Sequence, residues 1–217
     1  MPRDLEWLDN KIARETGWRK LEMTTALILV QQSQGEILKY AKRVAFVTLY
    51  AHWEGWIKQV GKLYVKFIDA QKLPTSELAP ALAGAVMKAK IDLAFEAESP
   101  HPHSEVATFV RDSWSAYNPL RESIVDTEAN LGTTVLAKIV HGLNLGAYFD
   151  YSLKTQMIDQ QLVDRRHKIA HGEWEVPDDS TFEQVYREIL TLLDEFSDAV
   201  IEAARDKAYV ALLEKSA

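Results

Sequence analysis

Apolar residues recur at spacings of three and four along most of the chain, a pattern typical of amphipathic α-helices. It predicts one helix over residues 4–32, either continuous or split near Gly17, and a second over residues 36–70. The second segment is apolar over more than one face, so we expect it to lie at the centre of the fold with neighbours on several sides. Gly55 and Gly61 lie within it, and each costs about 1 kcal/mol relative to Ala unless close packing compensates.

The middle of the chain predicts shorter helices separated by prolines and glycines. An Ala-rich helix is expected to follow the break at residues 73–77 and to run to about residue 97. Residues 99–104 contain two prolines and are predicted to form a loop. Asn130 is expected to cap one of the later helices, which are predicted over residues 105–117, 131–143 and 151–170.

A long helix is predicted near the C-terminal end of the chain. The sequence Ser-Thr-Phe-Glu at residues 180–183 has the form of a capping box. Because no alternating pattern of useful length occurs, the predicted fold class is all-α, a helical bundle with long central and C-terminal helices. The apolar positions of the C-terminal helix are Phe182, Val185, Tyr186, Ile189, Leu192, Leu193, Phe196, Val200 and Ala204.

Composition narrows the class of protein. The 217 residues are 47% hydrophobic and 26% charged, as in an ordinary globular protein. The absence of Cys excludes a disulfide framework, a zinc knuckle and a thiol nucleophile. A net charge of −7 argues against a protein that coats nucleic acid nonspecifically, although it leaves room for a small basic site.

Neither a targeting signal nor a membrane segment is expected. The first seven residues include acids where a secretory signal is apolar. The longest purely apolar run, residues 26–30, is far shorter than the roughly 20 residues of a membrane helix. We therefore expect a cytoplasmic protein without membrane contacts.

Side chains that could take part in catalysis or ligand binding are most concentrated at residues 164–172. Three cations and two of the six histidines lie there, at the predicted C-terminus of a helix. One interpretation is purely structural, because basic side chains in a last turn favour the helix dipole and Gly172 is a natural residue just beyond a helix end. In that case the cluster has no chemical role.

The other interpretation is metal-free RNA cleavage by Arg166 and His171. His171 would move a proton to or from a ribose or leaving-group oxygen, and Arg166 would stabilise the charge of the pentavalent phosphorane. Five residues correspond to about 140° around a helix, so the two side chains would not share a face of an unbroken helix. They can converge only if the helix ends between them or if two copies of the chain complete one site.

A metal site is the third interpretation of this segment. His167 and His171 have the i, i+4 spacing of a helical metal site, but Lys168 stands where an HExxH protein has Glu. A cation beside a divalent ion is unfavourable, so we predict no metal and no other cofactor.

Residues 50–56 form the second candidate cluster. Glu54 is a charge within an otherwise apolar helix, and a buried carboxylate needs a partner, for which Arg165 and Arg166 are candidates. Alternatively, Glu54 lies on a narrow solvent stripe and pairs with Lys58 at i, i+4. Tryptophans in this segment are expected in the core.

Three pieces of the sequence together resemble a known family. The sequence Arg-His-Lys-Ile-Ala-His at residues 166–171 resembles the HEPN signature of Arg, a polar residue, three residues and His. Tyr-Ala-His-Trp-Glu-Gly-Trp at residues 50–56 resembles the early-helix motif of the MAE_28990/MAE_18760-like HEPN branch, which is close to the RiboL-PSP-HEPN group. Glu-Ala-Asn-Leu at residues 128–131 resembles a further recurrent feature of that branch.

The resemblance implies a helical bundle that dimerises and brings two Arg–His motifs to one cleft. We expect a single domain over residues 1–217, with a HEPN core at 36–205 and an N-terminal helical extension at 1–35. Carried over, the catalytic pair would be Arg166 and His171. Supporting roles would fall to Glu54, which would orient the arginine, to His167 as the polar second position, and to Arg165.

HEPN proteins of this kind are typically metal-independent endoribonucleases of toxin–antitoxin or antiviral systems. The resemblance therefore implies RNA as substrate, a homodimer, and an antitoxin or defence-system partner. Some HEPN toxins are silenced by adenylylation of a Tyr two residues after the His, where this chain has Glu173, so that control is not expected. The alternative is a non-catalytic HEPN module that binds RNA, a nucleotide or a partner protein.

Overall fold

Two long antiparallel helices begin the fold. The structure, a computed structural model, describes residues 3–95 and 99–211. Helix α1 (Leu5–Gln32) is continuous through Gly17, and two residues connect it to α2 (Gly35–Ala70). Both agree with the predicted segments to within a residue.

Close packing compensates both interior glycines of α2, as predicted. A Cβ atom on Gly61 would lie 3.0 Å from a Val125 methyl group and 3.2 Å from a Leu143 methyl group. On Gly55 it would lie 3.0 Å from Nη1 of Arg19 in α1. A Cβ atom at either position would therefore be in unusually tight contact with a neighbouring side chain.

The predicted loop at residues 99–104 is wrong. Helix α3 (Pro80–Phe95) is followed by α4 (His101–Thr108), which begins inside that segment and continues as a π-helical stretch (Phe109–Ser113). Pro102 lies in the first turn of α4, where a backbone N–H has no intrahelical acceptor and its absence costs nothing. Residues 96–97 of the predicted Ala-rich helix lie outside the described residues.

The start of α5 (Thr133–Gly142) also differs from the prediction, since Asn130 does not cap it. Gly132 occupies the N-cap position and the carboxylate of Asp159 accepts from the Thr133 backbone N–H at 2.8 Å. Asp159 belongs to a π-helical stretch (Met157–Val163) that leads directly into α6 (Asp164–Ala170). The predicted helix over 151–170 therefore contains a 3-10 turn, a π-helical stretch and one short α-helix.

Helix α7 (Asp179–Arg205) closes the bundle against α1 and α2. All nine apolar positions predicted for it are buried. The predicted capping box is wrong, because the N-cap is Asp178, whose carboxylate accepts from the Thr181 N–H at 2.7 Å. In the part of the chain that the structure describes, all regular structure is helical, which confirms the all-α fold class.

One hydrophobic core joins these helices. It includes Leu8 of α1, Trp53 of α2 and Phe196 of α7, each with no exposed surface. Among the described residues, no helix combines the length and the apolar character needed to cross a bilayer.

We expect Asp178→Ala to lower the Tm at pH 7 by about 2–4 °C, because an N-cap is lost. The Thr181 backbone N–H, then the hydroxyls of Ser180 and Thr181, hold the pKa of Asp178 at about 2, below its ordinary value of 3.8. The stabilisation is therefore complete above pH 4 and is lost as the pH falls towards 2. Thermal unfolding of both proteins from pH 7 to pH 2 should show the difference narrowing. Asp198→Ala, at an exposed position within the same helix, is the control; an equal loss there would contradict the capping role.

Candidate functional site

Helix α6 ends between the two predicted catalytic residues. Its last residue is Ala170, and Gly172 beyond it has φ +85°. Glu173 N–H donates to Lys168 O at 3.0 Å and Gly172 N–H to Ile169 O at 3.2 Å, which together form a Schellman motif. The helix therefore ends at the predicted catalytic histidine itself, which is the C-cap residue of α6.

The guanidinium of Arg166 lies on an aromatic ring of α2. Its Cζ atom is 3.7 Å from the ring centroid of Tyr50, within cation–π range. Nη2 lies 3.4 Å from the carbonyl oxygen of Ala129 and 3.4 Å from Oδ1 of Asn130. Nε is buried without a hydrogen-bond partner. The arginine is thus held by the Tyr50 ring against its face and by Ala129 and Asn130 at Nη2.

Residues 127–131, which contact Arg166, are hydrogen-bonded to α2 at both ends. At one end, the Thr127 hydroxyl donates to Glu54 Oε1 at 2.7 Å. At the other end, the Leu131 N–H donates to the Tyr50 hydroxyl at 2.8 Å and the indole N–H of Trp53 donates to Leu131 O at 3.1 Å. Residues 127–131, here called the Arg166 loop, are therefore set by three neighbouring side chains of α2.

Burial raises the pKa of Tyr50, and the adjacent Glu54 carboxylate raises it further, against the opposing effects of the Leu131 N–H and the Arg166 guanidinium. The phenol beneath Arg166 is accordingly neutral throughout the physiological range. The uncharged phenol contacts the guanidinium of Arg166 through its ring face without forming an ion pair with it.

The expected ion pair of Glu54 with an arginine is not formed. Glu54 bonds to Thr127, whose hydroxyl is fully buried and needs an acceptor, while Arg165 pairs with Glu175 at 2.7 Å. No ion pair joins Glu54 to Lys58 within the described ranges either. Glu54 therefore reaches the arginine only indirectly, by fixing the loop that contacts it.

His167 and His171 lie side by side at the end of α6. Both are exposed, their ring centroids are 4.2 Å apart, and the His171 N–H donates to His167 O at 3.0 Å. No third His, Asp or Glu joins them in a metal-binding group among the residues described. Within the same residues no hydrogen bond links Arg166 to His171.

Comparison with known families identifies the family to which this chain belongs. A sequence model of the MAE_28990-like HEPN family matches residues 8–209. The chain belongs to the HEPN superfamily. A search of the curated proteins and a search of the solved structures each found no match. The HEPN match begins within α1 and includes the Arg166 loop and α6, and membership indicates a nuclease or another RNA-related function.

Sequence reasoning missed two cations that fasten the HEPN motif to α2. Lys42 is buried and pairs with Asp179 at 2.7 Å. Arg43 donates to Glu173 O at 2.9 Å and lies 5.3 Å from the ring centroid of Trp174. The signal was two adjacent cations, Lys42 and Arg43, within the apolar run that begins after Lys39. They tie the connection after His171 to α2 at Glu173, Trp174 and Asp179.

Proposed function

We propose that this HEPN protein is a metal-independent endoribonuclease. The observation that carries the proposal is the HEPN motif at the end of α6, where His171 is an exposed residue and Arg166 is held half-buried on the Tyr50 ring. Attack of a ribose 2′-oxygen on the adjacent phosphorus forms one P–O bond and breaks the bond to the 5′-oxygen. The products are a 2′,3′-cyclic phosphate and a 5′-hydroxyl.

Arg166 and His171 divide this chemistry. Arg166, fixed on Tyr50 before RNA binds, stabilises the extra negative charge of the phosphorane without having to reorganise. His171 takes the proton of the 2′-hydroxyl or gives a proton to the departing 5′-oxygen, since an imidazole changes charge near neutral pH. His167 contacts the His171 ring, and Arg165 forms an ion pair with Glu175. In this proposal neither contacts the reacting phosphate, and both have supporting roles.

In this proposal a second copy of the chain brings an Arg166 and a His171 together, one from each protomer. Exposed apolar side chains on one side of α2 favour such a partner, because Ile37 and Tyr40 expose 70% and 69% of their surface. Trp174, in the connection between α6 and α7, is 71% exposed and lies beside Arg43 of α2. Val44, 41% exposed, extends this surface along α2. A dimer formed on it is the arrangement we propose for pairing one protomer's His171 with its partner's Arg166.

The biological setting proposed is a toxin–antitoxin or antiviral defence system. Its support is the HEPN family match together with a site that needs no cofactor to cut RNA. An antitoxin or defence-system protein would then restrain the cleft. Glu173, exposed two residues after His171, offers no hydroxyl for adenylylation, so restraint by that modification is not expected.

Purified protein is expected to cleave single-stranded RNA in the presence of EDTA. Mass spectrometry of the products should find cyclic phosphate ends, which distinguish 2′-hydroxyl attack from hydrolysis by activated water. Activity that disappears with EDTA and returns with a divalent ion would contradict the proposal and favour a metal site at His167 and His171. Binding of RNA without cleavage under all conditions would favour the non-catalytic HEPN module.

A further inference from the structure

The Arg166 loop holds a backbone conformation that its sequence does not favour. Glu128 and Ala129 have φ of 51° and 54°, in the left-handed region that L-residues other than Gly rarely adopt. Thr127 at one end and Leu131 at the other are fastened to α2, and these contacts maintain the strained turn. Strained residues of this kind cluster at active sites, ligand-binding segments and switch regions of proteins.

The strained turn presents the side chain of Asn130. It is exposed, and its Oδ1 accepts from Arg166 Nη2 at 3.4 Å. The helix-capping role that its position suggested is taken by Gly132 and Asp159, so helix α5 does not need this amide. When Oδ1 accepts from Arg166, the two N–H groups of Nδ2 remain as donors at the rim of the site.

We propose that Asn130 binds the phosphate of the RNA directly, through Nδ2, beside Arg166. The inference rests on the proposed ribonuclease function and adds a residue to its site. A guanidinium and a neutral amide on one side of the cleft offer donors to two non-bridging oxygens of the same phosphate. Contacts to the phosphate carry no sequence information, so this pair binds RNA of any sequence.

A purely supportive role for Asn130 makes a different prediction from direct binding. If Asn130 only holds Arg166 in place, its removal has no effect once Arg166 is absent. If Asn130 contacts the phosphate, its removal weakens RNA binding in both backgrounds. A double-mutant cycle therefore separates the two roles.

The experiment measures the Kd for a fluorescent RNA hexamer with 2′-O-methyl groups throughout, which binds but cannot be cut by 2′-hydroxyl attack. We expect Asn130→Ala to weaken binding by about three- to tenfold, both in the wild-type chain and in Arg166→Ala. Asn130→Asp keeps the shape and adds a charge that repels phosphate, so we expect a loss of about tenfold or more. Asn10→Ala, an exposed asparagine on α1, is the matched control, and the Tm of each variant verifies its fold.

Three results would overturn the inference. They are wild-type protein that does not bind the hexamer, Asn130 variants that bind within twofold of wild type, and an effect of Asn130→Ala that vanishes in Arg166→Ala. Failure of the ribonuclease function gives another result. Wild-type protein would then bind the hexamer and respond to the Asn130 changes, but would leave the matching 2′-hydroxyl RNA uncut in EDTA.

Discussion

Replacing His171 by Ala is expected to lower the rate of RNA cleavage in EDTA by about 10²- to 10⁴-fold, the usual contribution of a positioned general acid or base. The side chain is exposed and lies just after the end of α6, so its loss should leave the Tm unchanged. Initial rates on a defined RNA and thermal unfolding of the same preparations measure the two effects. Expression of the wild-type chain is expected to arrest growth, and His171→Ala should relieve the arrest.

Two other histidines make this experiment specific. His141→Ala changes an exposed histidine at the end of α5 and should cleave RNA at the wild-type rate. His167→Ala removes the ring beside His171 and is expected to have a smaller effect than His171→Ala. Cleavage that survives both His171→Ala and Arg166→Ala would contradict the assignment of the catalytic pair. A larger loss in His167→Ala than in His171→Ala would exchange the roles of the two histidines.

The parts of the fold set by local pattern were predictable from the sequence. Helices α2 and α7 follow from apolar spacing, because their buried faces recur every three or four residues for seven turns or more. The end of α6 follows from Gly172, since a left-handed residue after a helix is most often Gly. Both signals lie within a few residues of the feature they determine.

The surroundings of Arg166 could not be predicted in this way. Glu128 and Ala129 give no local sign of left-handed backbone, which contacts with α2, more than 70 residues earlier in the chain, impose on them. The general preference of a buried carboxylate for a cation suggested an arginine for Glu54, but the buried Thr127 hydroxyl lies closer and takes that acceptor. Asn130 shows the same limit, because its capping preference is overridden by Asp159, which comes from another part of the chain.

Mixing two inactive variants is expected to restore cleavage if the site is shared across a dimer. Arg166→Ala retains His171, and His171→Ala retains Arg166, so each mixed dimer contains one intact Arg–His pair and one pair that has lost both residues. After complete exchange half of the dimers are mixed, and the activity should reach about a quarter of the wild-type value. Differently tagged chains and native mass spectrometry measure the exchange in the sample assayed.

The reverse mixture distinguishes a shared site from two complete ones. In this mixture a chain carrying both Arg166→Ala and His171→Ala is combined with an equal amount of wild type. If sites are shared, both sites of every mixed dimer lack one catalytic residue and are inactive. About a quarter of the activity of an all-wild-type sample of equal total concentration then remains, whereas about half remains if each chain holds its own site. No restoration in the first mixture and half activity in the second would contradict the shared site. Arg166 and His171 would then have to act together within one chain.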